Sequence, residues 1–129
     1  MDNENTKLNG KFAACLNCID GRVQLPVINW ITSTYNIDFI DMITEPGMDG
    51  FLVDSESELK PLLDKLNIAI KVHDCEEIFI VAHEDCAANP VDFKTHAPNL
   101  KIASEKIKDV ASKCKVICIY VYLNGNVIN

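Results

Sequence analysis

Glu77-Ile78-Phe79-Ile80-Val81-Ala82, followed at once by His83-Glu84-Asp85-Cys86, decides how this chain is read. Four large apolar side chains in unbroken sequence predict a strand, Glu77 to Ala82, buried on both faces, as in a parallel sheet. Upstream, Ser55 to Asp74 reads as an amphipathic helix with Leu59, Leu62, Leu63, Leu66 and Ile70 on one stripe. Ser55 followed by Glu58 has the spacing of a capping box. Downstream, Asn99 to Lys113 reads as a second long helix with Leu100, Ala103, Ile107, Val110 and Ala111 on its face. Lys115 to Leu123 is then the last main strand. The same alternation runs back to the start of the chain. Asp38 to Thr44 is a strand, and Gln24 to Tyr35 is a helix with Pro26 in its first turn. Lys11 to Cys18 is a buried strand. Glu45 to Gly50, with one Pro and two Gly, is expected to be a loop. The order βαβαβαβ predicts an α/β fold: a parallel central sheet of about four strands with helices on both faces.

The chain has 129 residues, which suits one domain. Residues 1–10 are polar and are expected to be a flexible leader, with residues 11–129 forming a single α/β domain. A composition 48% hydrophobic and 24% charged is that of a globular protein rather than a disordered one. The net charge of −7, with no basic run, disfavours nucleic acid and anionic membrane surfaces. The longest apolar run, Val116 to Leu123, falls far short of the ~20 residues a membrane span needs. With no signal-peptide pattern at its start, the chain is expected in the cytoplasm. Its six cysteines then read as buried thiols or metal ligands rather than disulfides.

In an open parallel sheet, ligands bind beyond the carboxyl ends of the strands. Two clusters fall there: Cys18-Ile19-Asp20-Gly21-Arg22 after the first strand, and His83-Glu84-Asp85-Cys86 after the third. Cys18, His83 and Cys86 offer two thiolates and an imidazole, donors suited to zinc. The two residues between His83 and Cys86 let one turn present both to the same ion. The fourth position is open to water or to the carboxylate of Asp20.

Cys-x-Asp-x-Arg followed later by His-x-x-Cys resembles the signature of the β-class carbonic anhydrases. Asp74 to Ala88 is similar to that family's third strand and zinc loop, and Val116 to Asn129 to its last strand and hairpin. The resemblance implies zinc bound by Cys18, His83 and Cys86. It also implies an Asp20–Arg22 dyad, in which Arg22 keeps Asp20 off the metal so that water can bind. The expected activity is reversible hydration of carbon dioxide to bicarbonate by zinc-bound hydroxide, in a homodimer or higher homo-oligomer. Two alternatives stay open: hydrolysis of carbon disulfide or carbonyl sulfide, and a non-catalytic zinc site closed by Asp20. The chain departs from the family where an Arg-Asn-Ala-Gly type motif is usual. It has Thr44-Glu45-Pro46-Gly47-Met48-Asp49-Gly50 there, and Ala87 in place of the usual Gly after the zinc-loop Cys.

The remaining polar and sulfur residues read more plainly. Cys15 and Cys18 make a C-x-x-C, but residues three apart on a strand face opposite ways, which argues against a redox pair. Cys114 and Cys118 read as buried thiols, and Cys75 carries no assigned role. His73 is placed near a helix C-terminus, where a cation is favourable. His96, in an expected loop before Pro98, is read as solvent-exposed. Asp85 and Asp92 read as exposed loop carboxylates, while Glu45 follows the second strand and could face the site.

Overall fold

A computed structural model describes residues 9–54 and 56–129. Strand β1 is Phe12–Asn17, and a 3-10 turn at Gly21–Val23 leads into helix α1, Gln24–Tyr35. Strand β2 is Phe39–Thr44, followed by two helices, α2 at Met48–Val53 and α3 at Lys60–Lys71. Strand β3 is Glu77–His83, helix α4 Phe93–Val110, strand β4 Lys115–Val121 and strand β5 Val127–Ile128.

The sheet order is β2-β1-β3-β4-β5. The first four strands are parallel, and β5 folds back antiparallel on β4, pairing Tyr120 with Ile128. The sheet thus has five strands, one more than the four main strands read from the apolar runs. β5 is two residues long, too short to leave a run. Leu123 is not in β4, because the chain turns there to make the hairpin.

Alternate residues of the central strands serve two cores. Ala14, Leu16, Ile78 and Ile80 pack on one face with Leu52 of α2, Leu62 and Leu66 of α3, and Leu100, Ala103 and Ile107 of α4. Cys15, Phe79, Val81, Ile117 and Ile119 pack on the other face with Val27 and Ile31 of α1. Helices therefore lie on both faces. No helix among the described residues is long and apolar enough to cross a membrane.

Three expectations need correction. Residues 48–53 form a helix where a loop was expected through Gly50. Gly47 takes the left-handed conformation at its cap (φ 60°), and Phe51 N–H donates to Gly47 O at 2.9 Å. The two glycines that argued for a loop instead cap the helix and let it pack closely. Next, α3 begins at Lys60, with Pro61 in its first turn, rather than near Ser55. Ser55, on which the capping-box reading rested, lies outside the described residues, as do residues 1–8 of the expected leader. Finally, α4 begins at Phe93 and runs through Pro98. Asp92 caps it, accepting from Thr95 N–H at 3.0 Å. The stripe His96, Leu100, Ala103 and Ile107 is buried along its length. That burial, with the cap, outweighs the backbone hydrogen bond lost at Pro98. His96 is consequently fully buried, not solvent-exposed.

Candidate metal centre

The sheet order places β1 beside β3, with Leu16 opposite Ile80. The chain leaves β1 for β2 on one side and passes to β3 on the other, so the crevice at their carboxyl ends is a topological switch point. Cys18 lies just past β1, His83 ends β3, and Cys86 sits in the turn beyond it. One donor atom from each of these three residues lies within 4.8 Å of the others, and all three residues are buried. The Cys18 and Cys86 Sγ atoms are 4.0 Å apart. A disulfide requires ~2.05 Å, whereas two thiolates at ~2.3 Å from one tetrahedral ion lie ~3.8 Å apart.

His83 Nδ1–H donates to the carbonyl of Glu84 at 2.8 Å, the outward partner a ligating histidine needs. Its Nε2 is then a bare lone pair, buried and without a hydrogen-bond partner. An orphaned buried nitrogen beside two thiols is costly unless something occupies the gap. The donor set fits a cation such as zinc. Burial pushes the Cys86 thiol up, and the backbone N–H groups of Asn89 and Ala88 pull the other way. A bound cation would settle that contest in favour of the thiolate. Gly47 N–H points at Cys18 Sγ at 3.4 Å.

The turn between β1 and α1 is held by its own polar side chains. Buried Asn17 accepts from Cys18 N–H at 2.8 Å and donates to Val23 O at 3.3 Å. Gln24 donates to the carbonyls of Cys18 and Asp20 at 2.8 and 2.9 Å. Neither residue stands out in the sequence, because their role is to satisfy backbone groups that only the folded turn brings together.

Asp20 and Arg22 form a two-pronged pair. Arg22 Nη2 donates to Asp20 Oδ2 at 2.7 Å and Nε to Oδ1 at 3.1 Å, and the Arg22 backbone N–H adds 2.9 Å to Oδ1. This grip holds the Asp20 carboxyl down to about 2. A group lowered in this way favours the folded chain above the ordinary carboxylate range, and that contribution is lost as pH falls through about 2. Arg22 also reaches across to the second cluster. Nη1 donates to Asp85 Oδ2 at 3.3 Å, and Nη2 to the Asp85 carbonyl at 3.2 Å.

The other singled-out residues separate. Glu45 is half-buried, and its backbone N–H donates to Asn17 O at 3.2 Å. Asp92 caps α4, and His73 pairs with Asp41 at 2.6 Å, away from the centre. Cys15, Cys75 and Cys114 are buried free thiols, and Cys118 is half-buried. Burial is the main cause that pushes Cys75 up to about 12. The sequence reading missed Asp49 and Asn89. Fully buried His96 Nδ1 lies 2.6 Å from Asp49 Oδ2, and Asn89 Nδ2 donates to both Asp49 oxygens at 3.2 Å. The only signal was an acidic residue in a stretch otherwise built for turning.

Fold and site together define an α/β protein with a three-donor, metal-competent cluster at the switch point of a mostly parallel sheet. The family described as "Putative carbonic anhydrase" matches residues 8–129, and the chain belongs to it. No curated protein matches the sequence. Among solved structures, it is similar to a tetrameric β-carbonic anhydrase from the filamentous ascomycete Sordaria macrospora. The identity is 11% and the TM-score 0.54, over 98% of this chain and 85% of that one. At that identity the likeness establishes the fold.

Proposed function

We propose that the chain is a zinc-dependent lyase that interconverts carbon dioxide and bicarbonate, with zinc held by Cys18, His83 and Cys86. The observation that carries this reading is the Asp20 carboxylate, which is taken up by Arg22 and lies outside the three-donor cluster. A cluster of three donors leaves a tetrahedral ion one position for a small molecule. Zinc in such a site supplies Lewis acidity that lowers a water's pKa to roughly 7.

The rest is done by the chain's own residues. Arg22 keeps Asp20 ionised and fixes its direction, so the carboxylate is an acceptor at the mouth of the site. There it orients the proton of a hydroxylic ligand and leaves the oxygen lone pair free for an electrophilic carbon. The three donors are buried, while the Asp20–Arg22 pair stands nearer the surface, where a small molecule can reach it. The Sordaria proteins are described as tetrameric, and Ile19 and Leu25 stand exposed beside the site. We therefore assign this chain a homo-oligomeric state as well.

Two measurements test the reading. Protein purified without added metal should carry about one zinc per chain, and a Cys18→Ser, Cys86→Ser double variant should carry none. Stopped-flow hydration of carbon dioxide by the zinc-loaded protein should rise between pH 6.5 and 9. Stoichiometric zinc in the double variant would sink the ligand assignment. Zinc without hydration, but with turnover of carbon disulfide or carbonyl sulfide, would move the substrate to those molecules.

A further inference from the structure

Asp49 is 1% exposed and His96 0% exposed, in a region otherwise packed with apolar side chains. Burying a carboxylate and an imidazole together is expensive, and packing alone would be served by apolar residues. The cost is raised further because His96 Nε2 has no partner. What the pair holds is more informative than the pair itself. Asp49 belongs to α2 and His96 to α4, and the two Asp49 oxygens also receive Asn89, three residues beyond Cys86. One carboxylate therefore joins two helices to the loop that carries a ligand.

The junction is tight. A Cβ on Gly47 would stand 3.2 Å from both the Ala88 and Asn89 Cβ atoms. One on Gly50 would meet Asn89 Nδ2 at 3.0 Å. The segment fixed in this way aims one backbone donor at a sulfur, Gly47 N–H at Cys18 Sγ at 3.4 Å, and holds the loop that follows Cys86 through Asn89.

We propose that Asp49, His96 and Asn89 are positioning residues for the metal centre. They clamp α2 and the post-Cys86 loop together, so that Gly47 N–H keeps its aim at Cys18 Sγ and the loop keeps Cys86 facing Cys18 and His83. The inference rests on the reading of Cys18, His83 and Cys86 as metal ligands. Hydrogen bonds of this outer kind set ligand orientation and are worth about 10–100-fold in metal affinity.

The test uses the full chain stripped of metal and titrated with cobalt(II) alone, followed by thiolate-to-cobalt charge-transfer and d–d absorption. Three variants are compared with wild type. Asp49→Asn turns an amide NH2 or a single oxygen toward Asn89, so it cannot accept from Asn89 and His96 as before. Asn89→Ala cuts the tether to the loop but leaves the buried pair intact, and so stays informative if Asp49→Asn does not fold. Ile107→Ala weakens the same helix about 16 Å further along its axis, a loss of core that touches no donor.

Cobalt should bind Asn89→Ala, and Asp49→Asn if folded, about 10–100-fold more weakly, with shifted bands. Ile107→Ala should keep wild-type bands despite a lower unfolding midpoint. Wild-type affinity and bands in Asn89→Ala, or shifted bands in Ile107→Ala, would overturn the proposal. A wild-type protein that takes up no cobalt would instead overturn the metal-ligand reading, and this inference with it.

Discussion

Arg22 touches Asp20 through two side-chain nitrogens and its backbone N–H, and reaches both the side chain and the carbonyl of Asp85. With zinc held as proposed, removing Arg22 would leave Asp20 an unpaired carboxylate beside the cation, and the least costly outcome for that carboxylate is to bind it. Arg22→Ala should therefore retain zinc by elemental analysis and lose carbon dioxide hydration by at least ~100-fold. Equal activity in the variant would refute the dyad's role. At this scale the sequence pointed to Cys18, His83 and Cys86, and the structure brings their donor atoms within 4.8 Å of one another. Cys18, His83 and Cys86 could be singled out because few other jobs suit two thiols and an imidazole at strand ends. Asp49 and His96 could not, since a carboxylate after a Gly-Pro stretch and a histidine before a proline both look solvated. Only the turn of α2 against α4 buries them against each other.

The elements were legible to the extent that their apolar period was complete. α1 spans the residues read for it, with Pro26 in its first turn, and β1 to β4 follow their apolar runs to within a residue or two. Two of the errors, at α2 and at the start of α4, sit where glycine and proline were read as breakers. Gly47 is the instructive case, because a left-handed residue can end a loop and begin a helix at the same point. Gly47→Ala should cost about 2 kcal/mol, from the left-handed backbone and from a Cβ pressed against Ala88 and Asn89. Gly21→Ala is the matched control, with nothing within 4 Å of the added Cβ, and should fall within about 0.5 kcal/mol of wild type. Urea unfolding of the two metal-free variants measures the difference. Similar midpoints would mean that α2 yields where it is drawn as rigid.

For the molecule as a whole, the net charge of −7 sets copies against each other, while Ile19 and Leu25, 59% and 68% exposed, favour contact. Sedimentation at micromolar concentration should show at least a dimer, tightened by added salt as the like charges are screened. A monomer of 14.4 kDa at every salt concentration would contradict this. The pairing of β1 with β3 has a different consequence, for the order of events during folding. The two sulfurs are 68 residues apart in sequence, and they meet only after β2 and three helices have been passed over and β3 has docked on β1. The local pair His83 and Cys86 can capture an ion early, but Cys18 joins only in a chain that has made this long-range contact. An ion so held is a removable cross-link closing a long loop. By analogy with a covalent bridge it could withhold up to about 4 kcal/mol of entropy from the unfolded chain. Chelation would then lower the unfolding midpoint by releasing the constraint that ties the two halves of the chain across the β1–β3 seam, the join at the centre of the sheet.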